Sequence, residues 1–219
     1  MPLKSVPRRG RTGTRRKRRQ SGAKAVFLNI PYDHKFRELY LAYIVGVSAL
    51  GLAPFATLGI PGDRRLDRIF SLIKSCKYSI HDLSRVEIDA GPPRTPRFNM
   101  PLELGLAVAW KRLGARSHSW FIFESQLRRA EKSCSDVSGT DIYIHDANVR
   151  GVFRQLRNAL VRPSNQPTVP QMAAIYEELK PVVRRILKNA GTNDIYEAQV
   201  FSEIRVAARQ LSLKRITGR

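Results

Sequence analysis

Cysteine occurs only twice in 219 residues, at Cys76 and Cys134, with no CxxC spacing. That supports neither a disulfide framework nor a thiolate metal cage, and reads as two reduced thiols in a cytoplasmic protein. Histidine is sparse as well. His34, His81, His118 and His145 are scattered, without an HExxH or Cys–His pattern, so no metal site and no resident cofactor is assigned. Acid is the scarce sign of charge, with 18 Asp and Glu against 39 Lys and Arg, for a net +21. Residues 1–24 hold ten of those cations and no acid, leaving +11 on the other 195 residues. This arm has too little apolar surface to offset the entropy of ordering, and disorder is expected. It suits either a salt-sensitive contact with nucleic acid or another polyanion, or a solvated tail. It also lacks the apolar core of a secretory signal.

Long hydrophobic runs are nearly absent too. The one exception, residues 39–62, carries no charge over 24 positions and is long enough to span a bilayer. Gly51 and Pro54 divide it, however, and Tyr40, Tyr43, Ser48 and Thr57 dilute it. It reads as a buried helix ending at Gly51 and then a buried strand near residues 54–60, so no membrane span is expected.

What remains is an alternating pattern, with 42% hydrophobic residues to build a core. Strands are expected at 24–30, 55–58, 78–83, 119–123 and 141–144. Helices are expected from Asp33 as cap to Leu50, from Leu66 to Ser75 with Asp63 as cap, from Met100 to Leu113, and from Val149 to Val161. Five strands alternating with helices make an α/β fold, a doubly wound and mostly parallel five-stranded sheet. Beyond a Pro-rich linker at 163–170, amphipathic stretches at 172–188 and 196–211 predict two further helices. These either pack on the sheet, associate into a homo-oligomer or touch a partner. The expected organisation is a basic arm at 1–24, an α/β domain at 25–163 and a helical C-terminal extension at 164–219.

Between Asn99 and Trp110 the only charged side chain is Glu103, set among Met, Leu, Val and Ala. Burying an isolated carboxylate costs several kcal/mol, on the order of the penalty for any unpaired buried ion. Its position follows a strand and a polar loop, the rim where α/β sheets bind ligands. Asn99 can cap this helix, placing Glu103 about one turn from the positive end of the dipole, and is itself a candidate substrate contact. An ionised carboxylate there suits the stabilisation of a developing oxocarbenium ion, as N-glycosidic cleavage requires. On the same rim stand Asn29, Tyr32 and Asp33 after the first strand. Asp82 and Ser84, after the third, are placed to hold ribose hydroxyls. Arg97 can bind a phosphate or pair with Glu103, and Phe98 can stack on a base. Gly105 clears space near the site or serves helix–sheet packing. Each also has an ordinary structural reading, Glu103 as a first-turn helix glutamate and Asp82 and Ser84 as turn residues.

The order FLNIPYD, RLDRIFSLIKSCKYSIHDLS and NMPLELGLA, over residues 25–161, resembles the TIR-like and nucleoside 2-deoxyribosyltransferase-like superfamily. In particular it resembles a bacterial TIR-like group with the signature sIHDLSR…PRFNMPxELGL. The resemblance implies a flavodoxin-like fold and a catalytic glutamate at Glu103. It also implies ligand contact through residues 27–32 and a substrate-positioning aspartate near Asp82. The Asp-x-Gly-Thr run of deoxyribosyltransferases and the Trp-Cys pair of many TIR enzymes are both replaced here by Arg97-Phe98-Asn99-Met100-Pro101. The implied activity is hydrolysis of NAD or a related nucleotide, in antiviral defence or signalling. The alternatives are a deoxyribosyltransferase-like enzyme, or a non-enzymatic TIR-like binding module whose arm engages nucleic acid.

Overall fold

The computed structural model describes residues 24–58, 65–85, 92, 94–95, 97–114, 117–162 and 165–218. Residues 1–23 of the basic arm and the Asp63 cap lie outside them. Five strands, β1 (Ala25–Asn29), β2 (Ala53–Phe55), β3 (Tyr78–Asp82), β4 (Ser119–Glu124) and β5 (Ile142–Ile144), form one parallel sheet in the order β2-β1-β3-β4-β5. This is a flavodoxin-like α/β architecture. The expected second strand is displaced toward the N-terminus. Pro54 is tolerated there because β2 is an edge strand, where a missing N–H leaves no ladder bond unmade.

The helices α1 (Arg37–Ala49) and α5 (Val149–Ala159) pack on one face of the sheet, and α2 (Arg65–Ser75) and α3 (Asn99–Arg112) on the other. A short α4 (Arg129–Ser133), too brief and too charged to show periodicity, joins α3's face through Ala130. The last two helices, α6 (Val169–Ala190) and α7 (Ala198–Thr217), form an outer layer over α1 and α5. Met172, Ile175, Leu179, Val200 and Ile204 share one buried cluster with Val26, Leu28 and Ile80 of the sheet. The C-terminal segment is therefore built into the core of the α/β unit.

This layering explains the uncharged run. From Leu39 to Ala49 every residue of α1 is buried, because sheet lies on one side and helices on the others. A helix apolar all round is a core helix in this setting. Among the described residues no helix is long and apolar enough to cross a membrane. Gly46 and Gly151 permit the close approach of α1, α5 and the β5 end. A Cβ on Gly46 would lie 2.3 Å from Leu156 Cδ1, and one on Gly151 2.0 Å from the His145 carbonyl oxygen. Arg205 of α7 is half-buried against the edge strand, 4.8 Å from the Phe55 ring centre, and donates to Pro54 O at 3.4 Å.

Candidate functional site

Glu103 is 5% exposed and opens into a cavity of about 170 Å³ beyond the carboxyl ends of β1 and β2. The cavity is lined by Asn29, Tyr32, Thr57, Arg65, Arg97 and Asn99, with Ile30, Pro31 and Met100 supplying apolar wall. Four of the residues read from the sequence as ligand-binding thus meet Glu103: Asn29, Tyr32, Arg97 and Asn99. Thr57 and Arg65 carry no such signal in the sequence: Thr57 follows β2 where an apolar strand is expected, and Arg65 sits just before the periodic run of α2.

Two expectations about Glu103 are corrected. Asn99 is the first helical residue and does not cap. Phe98 already has helical backbone (φ −88°, ψ −2°) and takes the cap position without a side-chain bond. Glu103 is therefore the fifth residue of α3, beyond the first turn where the dipole acts strongly. Burial instead dominates its chemistry. It pushes the carboxyl up from its ordinary 4.5 to about 7, against the opposing pull of the nearby Arg65 charge. Burial likewise drives the Tyr32 phenol up to about 12, with a Thr57 hydrogen bond opposing and the Glu103 charge adding to the rise.

A buried relay sets the cavity floor. Asn29 Nδ2 donates to Met100 O at 3.0 Å and to His81 Nδ1 at 2.9 Å. His81 is held down to about 3 by burial and is neutral, so its proton sits on Nε2 and is donated to Ser79 Oγ at 2.9 Å. Ser79 Oγ then donates to His118 Nε2 at 3.1 Å, and His118 Nδ1 to Cys76 O at 2.9 Å. Every donor finds an acceptor. Both Asn29 amide hydrogens are consumed, so the group it can offer the cavity is its acceptor oxygen. None of this was legible from four scattered histidines. The register pair Asn29↔His81 creates it.

The remaining sequence candidates lie elsewhere. Asp82 points to the opposite face of the sheet, where Tyr43 Oη donates to its Oδ2 at 2.6 Å and the Ser84 amide to its Oδ1 at 2.9 Å. His145 Nε2 lies 3.1 Å from Oδ2. Burial alone would push the Asp82 carboxyl up, but these donors outweigh it and hold it below its ordinary value. Asp82 is fully buried and faces away from Glu103, so it is not placed to position a ribose there. Ser84 is also on that side, its Oγ 3.1 Å from His145 Nε2. Asp33 binds the Arg85 guanidinium at 2.9 Å and accepts from the Phe36 amide at 3.2 Å, away from the Glu103 cavity. Phe98 is 67% exposed and outside the cavity lining. Gly105 faces open space, so neither of its expected roles applies.

The C-terminal helices reach this site indirectly. Tyr196, just before α7, packs its ring 5.7 Å from that of Tyr32 and donates to Asp33 O at 2.6 Å, bracing the β1 loop. No protein-family model, curated protein or solved structure matches the chain.

Proposed function

We propose that the protein hydrolyses an N-glycosidic bond in NAD or a related nucleotide, with Glu103 as the catalytic carboxylate. The observation that carries this reading is a nearly buried carboxyl, shifted toward neutrality, at the sheet rim among an acceptor-presenting Asn29 and two flanking arginines. The cavity is smaller than the roughly 300–1,000 Å³ of whole-ligand pockets, and fits the sugar end of a nucleotide. The phosphates then lie outward, toward Arg65 and Arg97.

As the bond from C1 to the base lengthens, its electrons leave with the base and positive charge grows on the sugar. The Glu103 carboxylate faces that charge, and water completes hydrolysis. A pyridinium base such as nicotinamide is already cationic and departs without a proton. Its charge also favours the ionised form of Glu103, drawing the pKa down from about 7 on binding. A neutral nucleoside needs a proton on the leaving base, and Tyr32, pushed up to about 12 and donating to Leu28 O, is a poor source. NAD-type substrates are therefore favoured over free nucleosides and over deoxyribosyl transfer.

A second reading is a non-enzymatic TIR-like module. Phe98 at the cap of α3 and Leu102 one turn on, 67% and 55% exposed, would then form part of a partner surface. The deciding assay is base release from NAD and from a nucleoside and nucleotide panel, at low and high protein concentration and with added DNA or RNA. Nicotinamide release that falls by about 10²-fold or more in Glu103→Gln supports the enzyme. No release under any condition, from protein as well folded as Glu103→Gln, overturns it in favour of the module.

A further inference from the structure

We infer that Asn29 decides which sugar the Glu103 site accepts: its Oδ1 takes a hydrogen bond from a ribosyl hydroxyl of the substrate, so ribonucleotides bind in preference to their deoxy counterparts. This deepens the glycosidase reading of Glu103, on which it rests, by naming the group recognised beside the carboxylate.

The polarity of the cavity floor is fixed from both ends by backbone carbonyls, which only accept. Met100 O, 3.0 Å from the Asn29 amide, requires nitrogen there and not oxygen. That same Nδ2 sits 2.9 Å from His81 Nδ1, so His81 accepts at Nδ1 and carries its proton on Nε2. At the far end Cys76 O, 2.9 Å away, requires the His118 proton on Nδ1, which leaves Nε2 to accept from Ser79. The two requirements meet at Ser79 Oγ, which receives from His81 and donates to His118, and they agree. Burial keeps both rings neutral, as this order needs. His81 is fully buried and reaches no ligand, so it is a positioning residue that acts through Asn29.

Asn29 is 4% exposed and lines the Glu103 cavity. Both its amide hydrogens are engaged, and its Oδ1 accepts from no described residue. Among the described residues the sealed side-chain atoms without a partner are Ser48 Oγ, His145 Nδ1 and Arg157 Nε. Asn29 Oδ1 is not one of them, so it opens on the cavity and its donor comes from there. The neighbouring Tyr32 hydroxyl does not supply it, since it donates to Leu28 O at 3.4 Å. In a β-ribonucleotide the 2′ and 3′ hydroxyls lie on the ring face opposite the base. A carboxylate that stabilises C1 as the base departs approaches that same face. Asn29 shares with Glu103 a cavity of about 170 Å³, which admits little beyond the sugar, so the donor it meets is a ring hydroxyl.

The test is calorimetric binding to full-length Glu103→Gln, chosen to prevent turnover. The probes are NAD and its analogues lacking the 2′ or the 3′ hydroxyl of the nicotinamide ribose. NAD should bind about tenfold tighter than at least one analogue, the scale of one hydrogen bond to an otherwise unpaired buried acceptor. Adding Asn29→Ala should erase that difference by weakening NAD alone. Equal affinity for NAD and both analogues overturns the inference, as does no binding of any, or a preference that survives Asn29→Ala. Base release absent from the parent protein, with the preference intact, defeats the glycosidase reading and leaves the Asn29 assignment standing. Imidazole ¹⁵N shifts of the parent protein keep the test decisive if Asn29→Ala unfolds. His81 should carry its proton on Nε2 and His118 on Nδ1, and the reverse on either ring overturns the assigned polarity.

Discussion

Glutamine at position 103 keeps the shape of the side chain and removes only its ability to ionise, which makes stability a direct reading of its environment. The folded protein holds the Glu103 proton up to about pH 7, whereas the unfolded chain releases it near 4.5. Between those values the folded state binds more protons than the unfolded, so stability falls as pH rises. Below 4.5 the carboxyl is neutral in both states and the effect vanishes. Above about 7 the full loss is present. At about 1.36 kcal/mol per pH unit, the difference amounts to about 3 kcal/mol. Glu103→Gln never carries the charge and escapes this loss. Urea unfolding at pH 5 and pH 8 is the assay. Glu103→Gln should be the more stable by no more than about 1 kcal/mol at pH 5 and by about 3 kcal/mol at pH 8. All other titrating groups are common to both proteins and cancel. An equal difference at both pH values, or a Glu103→Gln protein less stable at pH 8, would refute a desolvated carboxylate and make Glu103 a structural bonding group. A carboxyl that weakens the fold when charged is what a group retained for chemistry looks like.

Four further outcomes follow from the same geometry. Nicotinamide release should rise with pH through a single ionisation and level off, because the carboxylate is the working form, with the midpoint at or below 7 depending on substrate charge; a pH–rate profile falling through that range would contradict it. Asp82→Asn should destabilise by about 1.5–3 kcal/mol in neutral buffer, the worth of buried bonds to a charged acceptor. In the parent protein that contribution is present at neutral pH and lost as pH falls through the depressed Asp82 value, measurable by acid-dependent unfolding. Gly151→Ala should lose about 1–3 kcal/mol or fail to fold, since its Cβ would meet the His145 carbonyl at 2.0 Å. Gly105→Ala, on an exposed helix face with open space, should raise thermal stability by about 0.4–1 kcal/mol.

The chain by itself determined the order of elements and the isolation of Glu103. Both are local properties: periodicities of two and 3.6 mark strands and helices, and a lone acid among apolar neighbours is visible without knowing what they touch. The helical nature of residues 172–188 was equally legible, but the helix begins at Val169, inside the stretch expected as linker, where the Thr168–Gln171 capping box sets its start. What only the tertiary structure decided was which residues share a face. Asp82 and His81 are neighbours in β3, yet one joins Tyr43 above the sheet and the other Asn29 below it. A strand turns successive side chains to opposite faces, so pairing register and helix placement divide a rim that looks continuous in sequence. The same applies to α1. Its apolar girth says only that it is buried, and the layer of α6 and α7 that buries its outer side comes from more than a hundred residues away. Glu103's ionisation belongs to this class too. A helix position suggested a dipole, while enclosure by residues from β1, α2 and α3 decided its protonation.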